Sequence, residues 1–349
     1  MDSNLYYSVI EKDLKLEQLV LLKNKTVLIT GATGLIGSYF VDALMCANDK
    51  FELGLKVCAL SRNEKKILKR FEKYLNNDDF SYIVQDICQE INTLNDIDYI
   101  FHAASNANPR AYSTEPLNTI VSNFEGMRNV LELAKKCNSK VIYLSSSEAY
   151  GKGVENSVCF DEKSGGYIDT TDSRSCYPIS KLASECLASC YKKEYGVDFF
   201  IIRICHVYGP TMQSSDNRAV SAFLMNVING ENIVLKSSGT SKRCYCYVGD
   251  LFEAAMVILN KGNSGEIYNF SSELNLISIR DLAKTIARYS GLEVVFDTDT
   301  PQEGGNKNDF IFMKTAKLEE LGFSCKYDVE SGIKTTLDIL MEISSKKNG

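Results

Sequence analysis

Histidine is nearly absent from this chain. His102 and His206 are the whole supply. Cysteine is plentiful, at twelve residues, but no C-x-x-C occurs. The close pairs are Cys186/Cys190 and Cys244/Cys246, a spacing that supports neither a metal centre nor a disulfide framework. Cys58 and Cys205 sit inside apolar, strand-like runs and read as small core residues. Reduced thiols, no metal and a cytoplasmic chain are therefore expected. Positive charge is not in excess either. Lys and Arg number 39 against 45 Asp and Glu, for a net charge of −6. Nucleic acid is thus not expected as the main partner, although a local basic pocket for a diphosphate stays open. No apolar run approaches the roughly 20 residues that span a membrane. The opening stretch, Met1 to Tyr7, lacks the basic-then-apolar order of a signal peptide. There is no internal repeat and no low-complexity segment.

What is present begins with length and balance. The 349 residues, 44% hydrophobic and 24% charged, suit one large globular domain or two smaller ones. The stretch that organises them is Thr30-Gly31-Ala32-Thr33-Gly34-Leu35-Ile36-Gly37. It follows a short apolar run, Thr26 to Ile29, that reads as a buried parallel strand. It leads into Ser38 to Leu44, which reads as the start of a helix. Strand, glycine-rich turn and helix together form the setting of a dinucleotide fingerprint. Gly31 would allow the sharp turn, Gly34 a close approach to a pyrophosphate, and Gly37 tight helix packing. The helix N-terminus would hold the phosphates.

Ahead of that strand, Asn4 to Leu22 reads as one or two amphipathic helices without chemistry. After it come strands at Leu55–Leu60, Tyr82–Asp86, Asp98–Ala104, Lys140–Leu144 and Asp198–Arg203. Helices over Glu64–Leu75 and Pro116–Lys136 alternate with them. The alternation predicts a doubly wound parallel α/β sheet of the Rossmann kind over 1–205. Beyond Gly209-Pro210 the rhythm changes. Helices (Ala219–Asn229, Leu251–Leu259, Ile279–Tyr289) mix with short strands (Ile233–Leu235, Ile267–Phe270, Val294–Phe296). This predicts a second, smaller α/β lobe over 206–349 that binds substrate, with about 244–272 returning to the main sheet. Pro301 to Asn308 reads as loop.

Tyr177-Pro178-Ile179-Ser180-Lys181 puts a tyrosine and a lysine four apart, on one helix face. A lysine ammonium near a phenol favours the phenolate, making Tyr177 a candidate base for an alcohol. An ordinary helix start with proline in its first turn is the competing reading. The motif follows a serine-rich strand end, Leu144 to Glu148, by about thirty residues and lies downstream of the fingerprint.

Together these motifs resemble the extended short-chain dehydrogenase/reductases, in the NAD-dependent epimerase/dehydratase family that acts on nucleotide sugars. The resemblance rests on Gly31-x-x-Gly34-x-x-Gly37, Asp86-Ile87, His102-Ala103-Ala104, Ser145 to Gly151 and Tyr177-x-x-x-Lys181. Tyr208-Gly209-Pro210, and Arg243 with Tyr247-Val248-Gly249-Asp250, complete it. It implies Tyr177 as base, Ser146 as the residue that hydrogen-bonds the reacting hydroxyl, and Lys181 as the holder of tyrosine and nicotinamide ribose. It implies dinucleotide contacts from Gly31, Thr33, Gly34, Leu35, Ile36, Gly37, Ser61, Arg62, Asp86, Ile87, Ala103, Ala104 and Asn123. The cofactor implied is NAD or NADP, tightly bound and recycled. The partner implied is a nucleotide-diphosphate sugar, met by Arg174, His206, Arg218 and Arg243. A homodimer would form through the helices Pro116–Lys136 and Tyr177–Tyr195.

Ser147-Glu148 is the pair that bears on the reaction. It resembles the UDP-glucuronate decarboxylases and also the GDP-mannose dehydratases. Arg174-Ser175-Cys176-Tyr177 and the stretches Gly209–Met212 and Gly239–Arg243 are closer to the decarboxylases. Decarboxylation after C4 oxidation is therefore the leading expectation, with 4,6-dehydration and C4 epimerisation behind it. A dinucleotide-sensing binding protein is the rival of another class. Glu148 read blandly is a solvated strand-end carboxylate. Ser61-Arg62 departs from the acidic residue of NAD-preferring members. Arg62 would either meet a 2′-phosphate or be a bystander. His206 stands where the family often has asparagine.

Overall fold

The structure, a computed structural model, describes residues 3–93, 96–107, 109–152, 159–213, 216–297 and 312–348. The loop expected over 301–308 lies outside them. In chain order the elements are α1 (Asn4–Asp13), α2 (Leu16–Leu19), β1 (Thr26–Thr30), α3 (Leu35–Phe51), β2 (Lys56–Ser61), α4 (Glu64–Arg70), β3 (Phe80–Val84) and β4 (Tyr99–His102). Then come α5 (Pro109–Thr114), α6 (Pro116–Cys137), β5 (Lys140–Ser146), β6 (Cys159–Phe160), α7 (Cys176–Tyr195), β7 (Phe199–Ile204) and β8 (His206–Tyr208). The rest are α8 (Ala219–Ile228), β9 (Ile233–Leu235), β10 (Lys242–Tyr247), α9 (Val248–Lys261), β11 (Ile267–Phe270), β12 (Leu276–Ser278), α10 (Ile279–Arg288), β13 (Val294–Phe296), β14 (Phe312–Met313), α11 (Ala316–Glu319) and α12 (Val329–Asn348).

Among the described residues, seven parallel strands form the main sheet in the order β11-β7-β5-β4-β1-β2-β3. The inner strands are buried on both faces, as parallel strands are, while the edge strand β3 is largely exposed. Along the buried strands the two-residue alternation sorts the side chains. Val27, Ile29, Val57, Ala59, Phe101, Ile142, Leu144, Phe200 and Ile202 join one core, with α3 and α9. Leu28, Cys58, Leu60, Ile100, Val141, Tyr143, Phe199 and Ile201 join the other, with α6 and α7. The strand order reverses between β1 and β4, and a crevice opens there beyond the carboxyl ends of the strands.

Several strand boundaries differ from expectation by one or two residues, and at two of them a side chain gives the reason. Asp86 lies in the turn after β3, where its carboxylate accepts from the Cys88 N–H at 2.9 Å. Asp98 precedes β4, and its carboxylate takes the Thr26 N–H at 2.8 Å. In each case a side-chain acceptor ends the ladder by capturing a backbone donor. Of the stretch 244–272, only β11 pairs with the main sheet. β10 instead lies between β8 and β12 in a separate three-stranded sheet. Its neighbour β8 has already left the main sheet after Cys205, and β10 follows it.

The segment ahead of β1 ties distant parts together. The Tyr6 hydroxyl donates to Asp42 on α3 at 2.7 Å. Asp13 accepts from the Tyr327 hydroxyl at 2.7 Å and pairs with Lys326. At the other end of α1, Glu342 of α12 accepts from Ser3 Oγ at 2.8 Å and from the Asn4 and Leu5 N–H groups. A carboxylate from the far end of the chain thus completes the cap of this helix. Tyr7, Tyr6, Tyr39 and Tyr247 follow one another in edge-to-face contacts, and Tyr247 packs on Tyr327.

Candidate functional site

Gly31 leaves β1 with φ of +64°, and a Cβ there would stand 2.8 Å from the Ala104 backbone. Only glycine fits both conditions. Gly37 sits in the first turn of α3, where a Cβ would meet the Gly31 carbonyl at 2.4 Å. The helix therefore begins directly over the turn. Gly34 caps α3 without a side chain, so the first-turn N–H groups face outward, the usual seat of a phosphate.

Beside this helix end lies a cavity of about 330 Å³. Gly31, Thr33, Gly34, Ser61, Arg62, Asp86, Ile87, Ala103 and Ala104 line it, as the motifs implied. Asn63, Lys66, Gln85, Ser105, Asn106, Asn118, Ser122 and Gln213 line it too, and were not foreseen. The residues suit a dinucleotide: a helix N-terminus at one end and polar groups around an elongated cleft. Leu35, Ile36 and Gly37 do not line it. Leu35 and Ile36 pack on the core, and the Leu35 carbonyl accepts from Thr211 at 2.7 Å. Asn123 is also set back. Its amide donates to Ser180 and its carbonyl accepts from Ser105, both at 2.8 Å, so it joins α6 and the loop after β4 to α7. Thr33 and Ser61 share a hydrogen bond of 2.8 Å. Arg62, largely exposed, stands 3.8 Å from the half-buried Asp86.

The candidate chemical groups lie on the other side of the switch point. β5 ends at Ser146, and a one-turn segment, Ser147–Tyr150, carries Glu148. The Glu148 N–H donates to Ser146 Oγ at 3.1 Å. α7 presents Tyr177 and Lys181, both buried. The Tyr177 hydroxyl is met by those of Ser146 and Tyr112. Tyr112, on α5, stacks on Tyr177 with ring centroids 4.4 Å apart. Arg174 pairs with Glu148 at 3.5 Å and lies over the Tyr112 ring. Glu148 is thus not a solvated strand-end carboxylate. Burial pushes its carboxyl up, against the charges of Arg174 and Arg243.

The Tyr177–Lys181 relationship differs from expectation. Lys181 Nζ donates to the Leu144 carbonyl at 2.8 Å and lies 5.6 Å from the Tyr177 ring centre. Burial holds Lys181 down to about 7, and Glu185 opposes this. Tyr177 is not lowered but pushed up to about 12, by burial and then by Glu148. The hydroxyls of Ser146 and Tyr112 and the charge of Arg218 work the other way. Sharing a helix face does not aim an ammonium at a phenol when a buried carbonyl is nearer.

Arg218 is fixed by Asp216 through bonds of 2.6 to 3.0 Å and acts on Tyr177 and His206, with Tyr112 also within its field. Burial, with Arg243 and Arg218, drives His206 down to about 3, so it is a neutral hydrogen-bonding group at physiological pH. Ser147 is buried, and its side chain makes no hydrogen bond among the described residues. Tyr112 is the site member that sequence reasoning missed. It stands 65 positions from Tyr177, with no motif spacing to join them.

Comparisons with known proteins agree with this arrangement. Residues 27–271 match the NAD dependent epimerase/dehydratase family. UDP-glucuronic acid decarboxylase 5 of Arabidopsis thaliana is 29% identical over 311 residues, covering 89% of this chain and 87% of the plant protein. The structure of the UDP-glucose 4-epimerase of Thermotoga maritima, solved with UDP-glucose, superimposes with a TM-score of 0.78 at 25% identity, over 91% of this chain and 99% of that one. The dTDP-glucose 4,6-dehydratase of Bacillus anthracis, solved with NAD, gives 0.75 at 21% identity, over 93% and 97%. With a Rossmann sheet, a glycine-rich turn and a matched stretch of this length, the chain belongs to the NAD dependent epimerase/dehydratase family.

Proposed function

We propose that this enzyme decarboxylates a nucleotide-diphosphate uronic acid of the UDP-glucuronate kind. The observation that carries this reading is Glu148, paired with Arg174 and set beside Tyr177 within reach of the charges of Arg243. Tyr177 takes the proton of the sugar C4 hydroxyl, which Ser146 hydrogen-bonds. A nicotinamide dinucleotide, NAD or NADP, held beside the Gly31–Gly34 turn, Ser61 and Asp86, would supply a reversible hydride acceptor and would not be consumed. Oxidation at C4 turns the uronic acid into a β-keto acid. Its C5–C6 bond then breaks, carbon dioxide leaves, and the electron pair stays on the C4–C5 enolate. Glu148, raised by burial, is suited to deliver the proton to C5, with Ser147 beside it. Arg174, Arg218 and Arg243 orient the carboxylate and the diphosphate, and His206 adds a neutral contact. The 206–349 lobe supplies Arg218 and Arg243 and would hold the nucleotide.

The UDP-glucuronic acid decarboxylase named above supports this choice over dehydration and C4 epimerisation. Ser146, Tyr177 and Lys181 together favour an enzyme over a dinucleotide sensor, which has no need of them. The test is incubation with a panel of nucleotide sugars read by mass spectrometry. A loss of about 44 mass units from a uronic acid is expected. A loss of about 18 would mean dehydration, and an unchanged mass with a new isomer epimerisation.

A further inference from the structure

One turn beyond Lys181 on α7 lies a carboxylate that the proposed reaction does not use. Glu185 is 5% exposed. Its Oε1 accepts from Ser145 Oγ at 2.5 Å and from Arg203 Nε at 3.0 Å, and its Oε2 from Arg203 Nη2 at 2.6 Å. Arg203, on β7, is buried as well and lies over the Tyr150 ring. The Tyr150 hydroxyl donates to Asn269 of β11 at 2.7 Å. The network therefore ties α7 to the ends of three neighbouring strands. One of its anchor points adjoins the candidate site. Ser145 precedes Ser146, and the Leu144 carbonyl takes the Lys181 ammonium.

From this geometry we infer that Glu185 is a positioning residue: it locks the Ser146 strand end to the Tyr177–Lys181 helix face and supplies the counter-charge of Lys181. The groups around Lys181 are few. Tyr143 of β5 lies 4.8 Å beneath it, Tyr177 beside it, and neutral His102 of β4 nearby. Glu185 is the carboxylate acting on it. Arg203 holds that carboxylate in place with paired hydrogen bonds, the geometry guanidinium favours. A buried pair of this kind adds little net stability over a packed apolar pair, which makes a role in placing charge the better account.

This inference rests on Lys181 belonging to the proposed site, but its test does not depend on the sugar. Lysine labelled with carbon-13 at the ε position is titrated by NMR, with Lys181 assigned by the signal lost in Lys181→Arg. The wild type should titrate near 7. Glu185→Gln should lower that midpoint by about one unit or more, since a counter-charge is lost beside a buried cation. Glu185→Asp should restore most of it. Should Glu185→Gln fail to fold, Glu185→Gln/Arg203→Met removes both charges and should lower the midpoint in the same direction, by less, because the opposing charge of Arg203 goes too. In turnover, kcat at neutral pH should fall about tenfold while KM changes little. An unchanged Lys181 midpoint, with only a lower melting temperature, would overturn the inference. A normal shift in a protein that leaves every uronic acid nucleotide untouched would instead count against the proposed reaction.

Discussion

The Tyr112 ring lies flat on the Tyr177 ring, with planes 15° apart and centroids at 4.4 Å. Its hydroxyl favours the Tyr177 phenolate, while burial and Glu148 oppose it. Tyr112→Phe keeps the stack and removes that help. Tyr177 should then titrate still higher than about 12. The base form becomes scarcer at neutral pH, so the rising limb of the kcat profile moves to higher pH. A loss of about tenfold at neutral pH is expected for one unit. A limb left in place would show that Tyr112 only packs.

Tyr177→Phe should bind dinucleotide normally and lose about 10²–10⁴-fold in turnover, as for a missing general base. Reduced-nicotinamide fluorescence and single-turnover kinetics measure the two effects separately. Near-normal turnover would remove the proposed chemistry.

Glu148→Gln separates the two leading reactions. Dehydration needs a base to take the C5 proton before the C6 oxygen departs. Decarboxylation breaks its bond once the ketone forms and needs only an acid afterwards, which water partly replaces. The variant should still release carbon dioxide, with some 4-keto pentose escaping. Trapped reduced cofactor without carbon dioxide, from a substrate that the wild type dehydrates, would reverse the choice.

Arg62, Lys66 and Ser61 line the cavity, and an acidic residue at the end of β2 would select the ribose hydroxyls. If a 2′-phosphate sits there, Arg62→Ala should weaken NADP binding far more than NAD binding. Equal changes in the two dissociation constants would make Arg62 merely a partner of Asp86.

Leu117, Val121 and Phe124 share an exposed face of α6, at 74%, 45% and 36% exposure. Covering such a face with a second copy accounts for it. Light scattering at micromolar concentration should report a dimer, and Leu117→Glu/Val121→Glu a monomer. A monomeric wild type would contradict the assembly.

The main sheet was legible because its signals are local. Apolar runs bounded by turns mark β1, β2, β5 and β7, and the glycine spacing marks the turn at Gly31. The small sheet was not, because β10 pairs with β8 across more than thirty residues. The site divides in the same way. Tyr177 and Lys181 announce themselves by spacing, and Ser146 by the family resemblance. Tyr112, Lys66 and Gln213 do not, since tertiary packing alone brings them there. The direction of the Tyr177 shift was misread for a related reason. Helical spacing reports which side chains share a face, whereas titration follows burial and the nearest charge.

The contact between Ser3 and Glu342 joins positions 339 apart. Translation makes α1 long before its capping carboxylate. Until α12 is made, Tyr6 and Ile10 can already dock on α3, while the Ser3 hydroxyl and the Asn4 and Leu5 N–H groups still face water. The closing of this cap is therefore a non-local, late event, delayed by the entropy of bringing such distant segments together. A nascent chain stalled before α12 would hold its nucleotide-binding crevice complete and its first helix capped by Ser3 alone.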